Sequence, residues 1–307
     1  MYDIIIIGAG PAGLTAAIYA RRASKKVLVL EAMSYGGQLM NILDIENYPG
    51  YEHINGVELA TKLYDQAINL GSEILFERVI NIEDNVYEKK VITKNNVYTG
   101  KSIIIATGSE NRKLGLPNEN ELIGKGISYC ATCDGNFYKG KDVAVFGGGK
   151  VALEDALYLS DIVKEVYLIN RGSDFKDDEG MINLIKEKDN IKLIFNSMVT
   201  SLNAKDTLDS IEITDNEGNK EILNVSGLFV DIGRIPENEN FRKLIDLNDK
   251  GYIVSTENCH TNVKGIFAAG DNRVKILRQI VTATNDGAIA AVEAIKYINN
   301  EWRDMNV

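Results

Sequence analysis

Two cysteines in one short segment are the first residues of this chain that could do chemistry. Cys130 and Cys133 are separated by two residues, and the third cysteine, Cys259, is distant from them. In a cytosolic chain an isolated CxxC pair is typical of redox work, because its first thiol commonly has a lowered pKa and the pair can close a small disulfide. A structural zinc site needs four nitrogen or sulfur ligands, and the sequence offers neither a second CxxC nor a spaced histidine pair. Two thiols packed in a core remain the alternative.

An acidic residue follows the pair directly. Asp134 stands where a carboxyl group can carry a proton to or from a thiol, although it could also be only a turn residue before Gly135. The chain has two histidines and no GxSxG motif, which argues against esterase and protease mechanisms built on an imidazole base. Cys259 lies in a polar stretch, and we expect no redox role for it.

A glycine-rich turn near the N-terminus predicts a dinucleotide site. Gly8, Gly10 and Gly13 follow a run of four isoleucines typical of a buried strand, and they open a predicted helix. The first glycine permits the tight turn, the second lets the backbone approach a pyrophosphate, and the third lets helix and strand pack closely. Glu31 ends the next predicted strand, where its carboxylate can accept hydrogen bonds from ribose hydroxyls.

The same pattern returns later in the chain. Gly147, Gly149 and Ala152 follow a second predicted strand, with alanine at the third position, and Asn170 stands where the first repeat has Glu31. Each of these two polar residues lies 23 positions after the first glycine of its repeat. Equal spacing indicates two βαβ units of the same kind, and hence a second dinucleotide loop.

The residues after the second repeat leave the nucleotide open. Arg171 and Lys176 are the cations that could meet a 2′-phosphate, which favours NADPH. The segment 171–180 also contains four acidic residues against these two cations, so its charge makes a poor anion clamp. NADH, or little nicotinamide binding at all, therefore stays an alternative. Gly233, which follows another predicted strand, joins the nicotinamide candidates.

Length and charge limit the remaining classes of protein. At 307 residues the chain predicts about two domains. Its 34 basic and 44 acidic residues give a net charge of −10, which argues against broad nucleic-acid binding. The aliphatic runs are far too short to cross a bilayer, and the N-terminus has no leader pattern, so we expect a cytoplasmic protein without a membrane segment.

Together the repeats predict an α/β protein with two Rossmann-like dinucleotide-binding domains, the second inserted in the first and each with an accessory β-layer. The expected bounds are 1–112 and 242–307 for the first domain, and 113–241 for the inserted one that carries the CxxC. Because no low-complexity linker separates them, the crossings should be short.

Six blocks of sequence resemble the low-molecular-weight flavoprotein thioredoxin reductases of bacterial type. The two specific ones are Cys-Ala-Thr-Cys-Asp-Gly at 130–135 and Gly270-Asp271 followed by Arg278-Gln279; the others lie at 8–13, 36–50, 106–108 and 147–152. The resemblance implies FAD on the first repeat. The remaining residues that it places around FAD are Gly37, Gln38, Asn47, Thr107, Gly108, Asp271, Arg278 and Gln279.

The resemblance also implies roles for the redox residues. Cys133 would face the flavin, Cys130 would attack the disulfide of thioredoxin, and Asp134 would act as general acid and base. It further implies a homodimer. A departure from the family lies at Asn170-Arg171-Gly172, where the usual sequence is His-Arg-Arg. Some related enzymes take electrons from ferredoxin, but they have lost much more of the nucleotide site than this chain has, so ferredoxin is the minority expectation.

The order of segments predicts a motion. The CxxC and the second nucleotide loop share the inserted domain, whereas the flavin belongs to the other one. If disulfide and nicotinamide cannot contact one flavin ring together, the inserted domain should rotate between two arrangements. A non-catalytic nucleotide sensor is the alternative from another class, and it would need no CxxC.

Overall fold

The chain forms two structural units. A computed structural model describes residues 1–42, 44–85, 87–175 and 179–302. Unit 1 contains 1–110 and 235–307, and unit 2 is the insert 111–234. The sequence expectation placed the crossings at 112/113 and 241/242, so the inserted unit ends earlier in the structure than that expectation. Lys176 lies outside the described residues.

The first part of unit 1 begins with a βαβ element and continues in strands. Its helices are α1 (Pro11–Arg22) and α2 (Gly56–Asn69). Its strands are β1 (Tyr2–Ile7), β2 (Val27–Glu31), β3 (Glu73–Phe76), β4 (Val79–Asp84), β5 (Lys89–Thr93), β6 (Val97–Ile105) and β7 (Ser109–Asn111).

Unit 2 repeats the βαβ element and adds a small sheet. Its helices are α3 (Glu119–Leu122), α4 (Ala131–Asp134), α5 (Lys150–Ser160) and α6 (Glu179–Lys186). Its strands are β8 (Ile127–Ser128), β9 (Asp142–Phe146), β10 (Glu165–Ile169), β11 (Ile191–Ile194), β12 (Ser197–Ala204), β13 (Leu208–Asp215), β14 (Lys220–Leu223) and β15 (Gly227–Val230). The chain then continues through β16 (Arg234–Pro236), β17 (Ile266–Ala268) and α7 (Ile280–Tyr297).

Each unit is built on a parallel sheet, as the sequence predicts. In the described part of unit 1 the strand order is β3-β2-β1-β6-β5-β4, with β17 also beside β6. Strands β4, β5 and β6 pair antiparallel, so the accessory strands extend this sheet. Unit 2 has the order β11-β10-β9-β15-β8, and its accessory layer is a separate antiparallel sheet, β12-β13-β14. The predicted α/β class with paired dinucleotide folds is confirmed.

Apolar strands and an alanine-rich helix pair form the core of unit 1. The isoleucines of β1 are buried on both faces of the sheet, as expected for a central parallel strand. Helix α1 packs against α7, and alanines fill the contact on both helices. A methyl group on Gly287 would lie 2.2 Å from the carbonyl oxygen of Ala12, so this crossing requires glycine.

Among the described helices, none is both long and apolar enough to span a lipid bilayer.

Candidate active site and nucleotide-binding loops

The two cysteines of unit 2 form a disulfide. Cys130 and Cys133 are joined, with their Cα atoms 5.3 Å apart, and Cys130 is the N-cap of the short helix α4. Helix α4 and the turn after it rest closely on α5, because a methyl group on Gly135 would lie 3.1 Å from a Leu159 methyl carbon. The ring of Tyr138, just beyond, meets Phe229 edge-on at 5.4 Å between ring centres. The core of unit 2 thus fixes the segment that carries the disulfide.

A hydroxyl and a carboxyl group adjoin this disulfide. Ser128 donates a hydrogen bond to Asp134 Oδ2 at 2.6 Å, and its hydroxyl accepts one from the Cys130 amide at 3.1 Å. Burial raises the pKa of the Asp134 carboxyl, and the bond from Ser128 offsets part of that rise. The arrangement can hold or release a proton beside a thiol. Sequence reasoning missed Ser128, and no motif marks it.

The glycine loop of unit 1 has the close contacts that its spacing predicts. Gly8 has a φ of +107°, and a methyl group there would lie 2.3 Å from the carbonyl oxygen of Ala106. One on Gly13 would lie 1.9 Å from the carbonyl oxygen of Gly8. At Gly10 it would meet no described atom within 4 Å, which leaves the backbone open to a ligand. Glu31 accepts a hydrogen bond from the Ala9 amide at 2.8 Å, which ties the end of β2 to this loop.

Other predicted residues of unit 1 converge on the same loop. A methyl group on Gly37, which has a φ of +55°, would lie 3.4 Å from the Gly10 Cα. Gly37 and the exposed Gln38 belong to one short 3₁₀ turn. A methyl group on Gly270, directly before Asp271, would lie 2.9 Å from the Ala12 Cβ. Segments from three parts of the chain therefore meet at the start of α1.

The loop before α7 is held by its own side chains. Arg278 lies over the Tyr252 ring at 4.3 Å and donates to the Asp271 carbonyl oxygen at 3.4 Å. Asn47 donates to Gln279 Oε1 at 3.2 Å, and Gln279 begins α7 as the N-cap of a capping box. The structure brings these four predicted residues into contact with one another or with this loop.

Buried polar residues that the sequence analysis did not select support the loops of unit 1. The Thr107 hydroxyl, just before Gly108 (φ +71°), bonds to both Asn238 and Asn272, which are fully buried. The carboxylate of Asp286 accepts hydrogen bonds from the Gly270 amide, from Arg273 and from Lys275. Two cations so close lower the pKa of Asp286. The available sequence signal was an aspartate within the alanine-rich α7.

The second glycine loop, in unit 2, has a comparable shape. A methyl group on Gly147 would lie 2.4 Å from the carbonyl oxygen of Asp231 and 2.8 Å from the Ala152 Cβ. At Gly149 it would meet no described atom within 4 Å. The Asn170 side chain accepts from the Gly172 amide and donates to the Asp174 carbonyl oxygen, so it organises the turn after β10.

The predicted nicotinamide residues beyond this loop follow two different strands of unit 2. Arg171 is exposed on the turn after β10. Gly233 has a φ of +100°, and its carbonyl oxygen accepts from the Arg112 amide at 2.9 Å. The other predicted cation, Lys176, lies outside the described residues, so no contact of it with Arg171 is described.

Comparison with known proteins identifies the family. A family model described as pyridine nucleotide-disulphide oxidoreductase matches residues 2–287. The thioredoxin reductases of Listeria monocytogenes and Ureaplasma parvum are 40% and 42% identical, over 97% and 98% of this chain and 94% and 99% of their own lengths. The chain belongs to the thioredoxin reductase family. A crystal structure of thioredoxin reductase from Streptococcus pyogenes agrees, with a TM-score of 0.93 at 38% identity, covering 97% of this chain and 98% of that chain.

Family membership implies a flavin and a pyridine nucleotide, and the two loops fit such groups. Gly10 and Gly149 each leave open space beside the backbone at the start of a helix, where a pyrophosphate can approach. The tight contacts at Gly13 and Gly147 keep helix and strand close enough to form each turn. The resemblance to this family inferred from the sequence is confirmed.

Proposed function

We propose that this protein reduces the disulfide of thioredoxin, with electrons passing from NADPH through FAD and the Cys130–Cys133 disulfide. The observation that carries the proposal is this disulfide, placed beside the Ser128–Asp134 hydrogen bond in a unit that also has a dinucleotide loop. A non-catalytic nucleotide sensor would need neither the disulfide nor the acid.

The chain's own residues account for the thiol chemistry. When bound, the flavin would carry two electrons at a time from the nucleotide to the disulfide. Those electrons break the Cys130–Cys133 bond. With one proton taken up, one cysteine becomes a thiolate and the other a thiol. The Cys130 thiolate attacks one sulfur of the thioredoxin disulfide, and Cys133 then displaces reduced thioredoxin from the mixed disulfide. Asp134 supplies the proton that the leaving thiolate takes.

Unit 1 would bind FAD. Gly8, Gly10 and Gly13 would face the pyrophosphate and Glu31 a ribose. The groups proposed to line the rest of the cofactor are Gly37, Gln38, Asn47, Thr107, Gly108, Asp271, Arg278 and Gln279. Their convergence on the start of α1 and on the loop before α7 supports this assignment.

Unit 2 would bind NADPH at Gly147, Gly149 and Ala152. Gly233, which follows the end of β15, is a further proposed contact. Arg171 is the proposed contact for the 2′-phosphate, and its exposure supports that role. Lys176 is a second proposed contact. Because Asn170 is engaged in its own turn, it has fewer groups to offer a ribose.

The test is anaerobic bleaching of the flavin with NADPH, NADH and reduced ferredoxin in parallel, followed by oxidised thioredoxin. We expect rapid bleaching by NADPH and return of the colour with thioredoxin. Bleaching by ferredoxin alone would contradict the proposed donor, and colour that thioredoxin fails to restore would contradict the proposed substrate.

We also propose that the protein is a homodimer located in the cytoplasm. Measurement of its molecular mass in solution tests the homodimer, and cell fractionation tests the location.

A further inference from the structure

A carboxylate outside the predicted site contacts the backbone between the two redox cysteines. The amide of Ala131, the residue after Cys130, donates a hydrogen bond to Asp155 Oδ2 at 3.3 Å. Ala131 is buried, and Asp155 lies in α5, the helix that follows the second glycine loop. The position of α4 is therefore tied to this carboxyl group.

A second carboxyl group faces the first. Asp231 follows β15, and its carboxyl is within hydrogen-bonding range of that of Asp155. Its Oδ2 atom is buried and accepts no hydrogen bond from a donor group of the described residues. Two carboxylates this close repel each other strongly when both are ionised, whereas one proton between them forms a hydrogen bond.

The surrounding charges favour the singly protonated pair. Burial raises the pKa of both acids, and Asp155 raises that of Asp231 further. Glu154, next to Asp155 on α5, raises the pKa of Asp155 further, and Arg234 of β16 lowers the pKa of both acids. With one proton the pair has a charge of about −1, which Arg234 balances; with none it has an uncompensated negative charge.

We infer that Asp155 and Asp231 share one proton and form a positioning pair for the Cys130–Cys133 disulfide, coupling its reduction to a protonation outside the cysteines and Asp134. The inference rests on the proposed function, because it takes this disulfide as the redox centre. The pair acts through the Ala131 amide and touches no reacting atom.

The coupling follows from charge balance. Two electrons break the S–S bond and leave a thiolate and a thiol if one proton is taken up, or two thiols if two are. Negative charge on a sulfur beside Ala131 makes the pair hold its proton more tightly, and loss of that proton disfavours the thiolate. In the reduced protein, therefore, the pair loses its proton at a higher pH than in the oxidised protein.

The experiment measures the disulfide equilibrium directly. The flavin-loaded protein is equilibrated with dithiothreitol redox buffers between about pH 5 and about pH 9, quenched in acid, alkylated under denaturing conditions and weighed by mass spectrometry. Cys259 is alkylated in every sample and serves as an internal reference. Oxidation of dithiothreitol itself releases protons, so the measured equilibrium constant should change about tenfold per pH unit for each proton by which uptake by the protein differs from release by dithiothreitol.

We expect the wild-type curve to contain an ionisation that is absent from both Asp155→Asn and Asp231→Asn but present in Asp134→Asn. Asp161→Asn is the matched control, because Asp161 is the C-cap of α5 and pairs with Lys188 on the surface. Curves of the same shape in all five proteins would overturn the inference.

A second measurement needs no variant of Asp155 or Asp231. Infrared difference spectra of the wild type, oxidised minus reduced, should contain a protonated carboxylic acid band that shifts in D₂O. Asp134→Asn should keep this band, and its absence there would overturn the inference. Since neither measurement uses NADPH or thioredoxin, failure of the proposed function in the bleaching test is a separate result.

Discussion

Asp134 shows how one buried acid could serve both directions of thiol exchange. Its carboxyl lies one residue from Cys133, accepts a hydrogen bond from Ser128 and has a pKa raised by burial. An acid whose pKa approaches the working pH can both accept and donate a proton.

Asp134→Asn should therefore slow thioredoxin reduction by roughly 10²–10⁴-fold, the usual contribution of a positioned acid or base. Asparagine can still accept the hydrogen bond from Ser128, so the fold and the flavin should be retained. Stopped-flow mixing of the reduced enzyme with oxidised thioredoxin measures the step. A variant with the rate of the wild type would mean that Asp134 is only a turn residue.

Asp231 gives a prediction for stability against pH. An unfolded aspartate ionises near pH 4, whereas burial and Asp155 raise the folded pKa of Asp231 well above that. Between these two values the folded protein binds the proton more tightly, so the contribution of Asp231 to stability falls as pH rises through the window. Below it, both states are protonated and the contribution does not change.

Asp231→Asn should consequently gain stability relative to the wild type as pH rises above about 4, by about 1.4 kcal/mol for each pH unit of the window. Urea unfolding at a series of pH values, with Asp161→Asn as control, measures the difference. A difference that does not depend on pH would show that Asp231 keeps an ordinary pKa in the folded protein.

At the scale of elements, the sequence predicted what depends on local spacing. The glycines at 8, 10 and 13 and their repeat at 147 and 149 predicted two strand-turn-helix elements. Positions 8, 13 and 147 leave no room for a side chain, and positions 10 and 149 leave the backbone open. Buried polar partners could not be predicted in the same way. Asn238 and Asp231 acquire their roles from residues far away in the chain, and their immediate neighbours in sequence give no sign of that contact. Ser128 contacts Asp134 and Cys130 nearby in the chain, but no motif marks it.

The α1–α7 crossing gives a prediction at this scale. Alanine is the better helix former by about 1 kcal/mol, yet a methyl group at Gly287 would lie 2.2 Å from the Ala12 carbonyl oxygen. Gly287→Ala should thus destabilise the protein by about 1–3 kcal/mol, the usual cost of overpacking. Because Ala12 lies in the first glycine loop, the variant should also retain less flavin.

Urea unfolding and the flavin content of the purified protein check this prediction. Asn285→Ala is the matched control, since Asn285 is exposed on the same helix and its replacement should leave both quantities nearly unchanged. A Gly287→Ala protein more stable than the wild type would show that helix propensity outweighs the contact.

For the whole molecule, the order of segments divides the chemistry between the units. The proposed flavin site belongs to unit 1, and the disulfide and second nucleotide loop belong to unit 2. The sequence predicted this insertion from the order of its two repeats, because each repeat needs its own parallel sheet. It could not fix the crossings to the residue, since no change of composition marks them.

The division predicts that the two half-reactions can be separated. Cys130→Ser and Cys133→Ser each remove the disulfide without altering a glycine loop, so both variants should bind flavin and be bleached by the nucleotide as fast as the wild type. Neither should reduce thioredoxin, because serine forms no disulfide. Anaerobic bleaching measures the first half-reaction, and return of flavin colour after thioredoxin is added measures the second.

Cys259→Ser is the control and should complete both half-reactions, since Cys259 is buried and burial raises its pKa to about 12. If Cys130→Ser and Cys133→Ser restored the colour with thioredoxin as fast as the control, electrons would have to reach thioredoxin without these cysteines, and the proposed path would be wrong.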